Sequence, residues 1–203
     1  VEEVDTPALP QELTLPRDHP GTVYCIHVPL AIAQSVQGRG GKATDLETLR
    51  SWLVEHLGVA YRGFLDLDSR TMEPSAKIVA AVSSDAKLVP PIPVPISGVL
   101  VRRFKVEMGG QVIPVVYRYG ALDEDKRDHL VLGAKAKYYY QGNQPTQGVD
   151  IRLGKRVIAT AQLSEIWRGP NGMPLARHNN YNEFVGEVLL PELPRGVLST
   201  LNN

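Results

Sequence analysis

Cysteine is almost missing from this chain: Cys25 is the single thiol among 203 residues. One thiol excludes an internal disulfide framework and a cysteine-based zinc site, and it fits a reducing compartment. Cys25 lies in an alternating apolar run, the setting of a buried inert thiol rather than a nucleophile. Net charge is missing as well. The 22 basic and 22 acidic side chains cancel, so no overall field draws the chain to nucleic acid or to an anionic membrane. No apolar run approaches the roughly 20 residues that span a bilayer. The first residues, Val1-Glu2-Glu3-Val4-Asp5, are acidic and carry no initiating methionine, unlike a signal peptide. The expectation is a cytoplasmic segment that begins partway through a longer protein. His19, His27, His56, His129 and His178 lack the spacing of a metal pair, so each is read as a surface or internally satisfied side chain. No metal ligand set and no catalytic set is expected.

What is present is an ordinary globular composition, with 43% apolar and 22% charged residues, enough for one large domain or two small ones. Pro7, Pro10, Pro16 and Pro20 make residues 1–20 an extended lead-in with an edge strand at Leu13 to Leu15. Thr22 to Val28 is a strand rich in β-branched and aromatic side chains, stopped by Pro29. A glycine-rich loop over 33–43 precedes the clearest helix signal. Thr44 and Glu47 stand at capping-box spacing, and Leu46, Leu49, Trp52, Leu53 and Leu57, followed by Tyr61 and Phe64, recur every three or four positions. This predicts a helix over 45–64.

Beyond it the chain reads as β. Ile78 to Val82 is a short strand, and the prolines at 90, 91, 93 and 95 make residues 88–97 extended but unfit for a central ladder. Val99 to Met108 and Gln111 to Tyr119 flank Gly109-Gly110, a hairpin pattern. Asp123 to Asp128 is a charged linker or a short helical turn, failing the spacing of a calcium loop. Tyr138 to Tyr140 begins a further β run in which alternating faces bury at least one ring. Val149 to Leu153 and Arg156 to Ala159 form a second hairpin about Gly154-Lys155, whose tip carries Lys155 and Arg156 as solubilising edge charges. Leu163 to Trp167 is a short turn, 168–180 a polar loop, and Phe184 to Leu190 the last strand. The class is α+β, mainly antiparallel sheet with few helices. Gly38-Arg-Gly-Gly-Lys42-Ala-Thr44 fails the phosphate-loop pattern, which needs Ser or Thr where Ala43 stands.

Three segments together resemble one family, the GHKL ATPases of gyrase, MutL, histidine kinases and the large heat-shock chaperone, and within it the MORC-like members. His19-Pro20-Gly21-Thr22-Val23 resembles the last motif of the ATPase domain, where a Gly-Thr pair follows the ATP lid. Thr44 to Phe64 is similar to the helix that joins the ATPase domain to the next. Gly148 to Ile158, with Gly-Lys-Arg-Val-Ile, then Asn182 to Leu190, with Phe-Val-Gly-Glu-Val-Leu-Leu, then Leu198 to Asn203, resemble the second half of the transducer domain, which has the fold of ribosomal protein S-five domain 2.

The resemblance implies three parts: the end of an ATPase domain at 1–30, a connector and linking helix at 31–64, and a transducer-like domain at 65–203 with a proline-rich insertion near 88–97. It implies that Gly21 and Thr22 edge an ATP pocket, although a plain strand start explains them equally. The family's Glu-x-x-x-Asn and Asp-x-Gly-x-Gly motifs do not precede residue 19, and Asn202-Asn203 ends where the family places a lysine. ATP and magnesium would therefore be held by the full protein, and the fragment alone would be inactive. The implied partners are the ATPase domain of the same chain, a second copy in a homodimer, and a DNA or protein client. The other reading is a stand-alone α+β protein-interaction module with no nucleotide link.

Overall fold

The computed structural model describes residues 46–68, 71–82, 85–130 and 138–193. The α+β class, dominated by sheet, is what is found. Helix α1 (Leu46–Ala60) is followed at once by a single-turn helix α2 (Arg62–Leu65), matching the region expected from the apolar spacing. The proposed capping pair falls outside the described side chains, as do the strands at 13–15 and 22–28, Cys25 and the glycine-rich loop. Strands β1 (Val79–Val82) and β2 (Asp85–Leu88) form a small antiparallel pair. The main sheet holds β3 (Ile96–Met108), β4 (Gln111–Leu122), β5 (Gly148–Leu153), β6 (Arg156–Gln162) and β7 (Phe184–Leu190), in the order β3-β4-β7-β5-β6. A third helix, α3 (Glu124–Leu130), leaves the end of β4. It starts at Asp123, whose carboxylate accepts the Lys126 amide at 3.0 Å, so the charged stretch is a capped helix. No helix among the described residues is long and apolar enough to cross a membrane.

The long β3–β4 hairpin turns at Gly109 and Gly110, with φ of 58° and 72°. Two successive left-handed residues match the right-handed twist of the flanking strands, which glycine permits without strain. Strand β7, last in sequence, is inserted between the two hairpins. It runs antiparallel to β4 and parallel to β5, the one parallel pairing among the described strands of the sheet. Gly186 permits the close approach, since a Cβ there would lie 2.7 Å from the Arg118 carbonyl.

The helix buries a face displaced from the one its leucines mark. Arg50, Val54, Glu55 and Val59 are its most buried side chains, whereas Leu49, Trp52, Leu53 and Leu57 are half-buried. The leucines lie along a flank, where Leu53, Leu57 and Tyr61 pack on a cluster of Val54, Leu65, Ala80 and Val89. The other core cluster joins Val59 to Ile92, Ile96, Leu122, Tyr140 and Val185, so helix and sheet share it. The proline-rich stretch supplies Val89, Ile92 and Ile96 to these two clusters. It lies against α1 at Gly58, whose carbonyl accepts the Ile92 amide at 3.0 Å. A Cβ at Gly58 would come within 2.7 Å of the Pro90 carbonyl. Prolines suit such a strap, because they hold it extended and leave few amides to satisfy.

Candidate functional site

The most concentrated chemistry lies where α2 crosses the sheet. Asp150 of β5 and Glu187 of β7 are paired neighbours in the parallel register, both on the face that α2 covers. Two carboxylates side by side repel, and each is buried, with Asp150 2% and Glu187 4% exposed. Such a pair persists only if a cation joins it. Arg62, the first residue of α2 and 3% exposed, does so. Its Nε donates to Glu187 Oε1 at 2.9 Å, and its Nη1 donates to Asp150 Oδ2 at 2.9 Å and to the Tyr140 hydroxyl at 3.0 Å. Tyr140 in turn donates to Asp150 Oδ2 at 2.6 Å, and the Ala161 amide donates to Oδ1 at 3.2 Å. Arg152 lies 3.7 Å from Glu187, so two guanidinium groups face two carboxylates.

Burial acts against every charge here. It would push the Arg62 guanidinium down, but Tyr140, Asp150 and Glu187 outweigh it and hold the group above its ordinary value. Burial pushes the Asp150 carboxyl up, opposed by Arg62, by the Tyr140 hydroxyl and by the Ala161 amide. Burial, reinforced by Asp150, carries the Tyr140 phenol well above its ordinary range. Asp150 is occupied by three donors, a geometry that holds elements together rather than transferring protons.

Tyr140 arrives by an unexpected route. Residues 138–140 do not form a strand. Glu55 of α1, 1% exposed, accepts the amides of Tyr138 and Tyr139 at 3.0 and 2.8 Å, taking donors that a ladder would have used. Tyr140 adopts φ 54°, which breaks the extended path and turns its ring into the core. His56 Nδ1 meets the Tyr139 hydroxyl at 2.5 Å, with the imidazole stacked on Trp52. His56 is thus internally satisfied, as expected. Burial lowers its pKa, while burial followed by Glu55 and Asp150 pushes the Tyr139 phenol up to about 12.

The β5–β6 tip also has a role other than solubility. Lys155 Nζ donates to the Ser75 hydroxyl, and the Arg156 guanidinium sits over the Tyr61 ring at 5.5 Å. A Cβ on Gly63 of α2 would meet the Lys155 carbonyl at 2.6 Å, so the helix rests directly on the backbone of the hairpin tip. Beside the cluster a cleft of about 80 Å³ opens, lined among others by Pro91, Pro93, Arg118 and Arg152.

Gly21 and Thr22, the expected nucleotide contacts, lie outside the described residues. Arg62, Glu55, Asp150, Glu187 and Tyr140 were not expected as a site from the sequence. A signal for them existed. Glu55 and Arg62 are two helical turns apart, in step with Val59 rather than with a solvent face. Glu187 is the lone acid in an otherwise apolar strand. Among the described residues no group of three or more His, Cys, Asp or Glu side chains is placed to hold a metal ion. No family model, curated protein or solved structure matches the chain.

Proposed function

We propose that this chain is the transducer region of a GHKL-type ATPase of the MORC-like kind, coupling nucleotide binding elsewhere in the parent protein to domain movement. One observation carries this reading. The segments that resemble the transducer, β5–β6 and β7, lie in one sheet layer, and a buried ionic cluster pins the segment resembling the linking helix to that layer. A helix joined to a sheet by soft apolar contacts alone can slide. One held by Arg62 to two strands at once moves with them, since slippage would strand buried charge.

ATP and magnesium belong to the parent's nucleotide pocket in this reading, and this chain acts by transmitting displacement. It works in the cytoplasm, within a parent that closes as a homodimer on a DNA or protein client.

Two experiments test this. The reading frame upstream should encode Glu-x-x-x-Asn and Asp-x-Gly-x-Gly within about 150 residues, one domain's length; a frame with neither ends the proposal. The purified chain should turn over no ATP, and the extended protein should. Clear turnover by the pure chain would contradict the assignment.

A further inference from the structure

Strand β3 forms one edge of the main sheet and outreaches it. Strand β7 pairs with β4 only over Val116 to Ala121, so the far half of the β3–β4 hairpin stands beyond the other described strands. No described strand pairs with the outer side of β3. Its side chains are exposed on both faces, Leu100 at 53% on one and Val101 at 41% on the other. An edge this long with exposed apolar side chains is a template for another strand unless something blunts it.

The pairing with β4 is regular from Leu100 onward, so the two faces can be assigned by alternation. One face carries Val101, Arg103, Lys105 and, next to the turn, Glu107, with Arg118 opposite Val101 on β4. The other carries Leu100, Phe104 and Val106, backed by the buried Val115 and Ile113 of β4, with Arg102 among them. Cations along the middle of one face and mostly apolar side chains on the other define what can pair here.

A second copy fits poorly. Antiparallel self-pairing centred on Arg103 sets Arg103 on Arg103, on Phe104 sets Arg103 on Lys105, and on Lys105 sets Lys105 on Lys105 between two Arg103–Glu107 pairs. Centring on Val106 sets Lys105 on Glu107, but the turn at Gly109 and Gly110 cuts that overlap short. Like charges directly opposite destabilise a pair. The cations that discourage self-association select the opposite charge. We propose that the outer edge of β3 docks an extended partner segment alternating acidic and apolar residues. Its acids would lie opposite Arg103 and Lys105, and its apolar side chains against Leu100 and Phe104. Backbone bonds would supply affinity and the alternation would supply specificity. The inference does not depend on the ATPase reading.

The test adds a fluorescent peptide of alternating glutamate and valine, long enough to span β3, to the full chain and follows anisotropy. Saturable binding that weakens with salt is expected, with slowed amide exchange at residues 99–107. Arg103→Glu combined with Lys105→Glu should weaken it about tenfold or more and should admit a lysine–valine peptide instead. Both positions are exposed, so the variant should keep its circular dichroism. If it does not, the native chain still decides, by rejecting the lysine–valine peptide and a backbone N-methylated glutamate–valine peptide. Equal binding of acidic and basic peptides, unchanged affinity in the folded variant, protection elsewhere, or sedimentation showing β3-mediated self-association would each overturn the proposal.

Discussion

Arg62 and His56 face the same problem, a polar group in a core, and meet it differently. Arg62 keeps its charge because two carboxylates and a phenol surround it. Removing one partner of a buried ion pair strands the others, so Arg62→Ala should cost about 3–5 kcal/mol in urea denaturation. That loss should change little with added salt, because the cluster is shielded from mobile ions. A loss no larger than that of an exposed arginine would mean the cluster does not pin α2. His56 instead is held toward its neutral form by burial, with its Nδ1 paired to the Tyr139 hydroxyl. Its folded pKa lies below the ordinary 6.5, so between the two values the unfolded chain binds more protons than the folded one. Stability from this residue is therefore present above about pH 6.5 and falls as pH drops toward the folded value. Melting temperatures measured from pH 7 to pH 5 should decline less steeply in His56→Gln than in the native chain. Parallel curves would exclude His56 as a source of acid sensitivity.

The helices and strands show why local pattern alone mislocated some contacts. The leucine spacing predicts α1 well, because 3.6-residue periodicity depends only on the chain. It does not predict which side is covered most deeply. The sheet and the proline-rich strap both press on α1, and paired polar groups occupy the deepest contacts. The 138–140 stretch fails as a strand for a related reason: Glu55, 83 residues before Tyr138, takes its amides. The two hairpins were legible because glycine turns and alternation are local signals. The strap's prolines likewise excluded a central ladder, but nothing local shows that Ile92 and Val89 fill the two core clusters. Lys155 and Arg156 read as edge charges until α2 is placed beside them.

At the level of the whole molecule, β7 is the joint. It connects the β3–β4 half of the sheet to the β5–β6 half and carries Glu187 beneath α2. Gly186 lets it approach both neighbours, because a methyl group at that position would lie only 2.7 Å from the Arg118 carbonyl and 2.9 Å from Val149 Cγ1. Gly186→Ala should therefore cost about 1–3 kcal/mol by overpacking, and amide exchange should rise in both hairpins together. Exchange rising in one hairpin alone would mean the halves are stable separately. Under the transducer reading we propose, a displacement of α2 would reach both halves through this one strand.

Local rules of the chain set the number and kind of most elements: the long helix, the two main hairpins, the last strand and the α+β class. Periodicity, glycine turns and prolines act over a few residues, and no fold is needed to read them. The ionic cluster, the insertion of β7 between the hairpins and the exposed edge of β3 came only from the assembled fold. Each joins residues far apart in sequence, and a buried charge can be recognised only once the partner that neutralises it stands beside it.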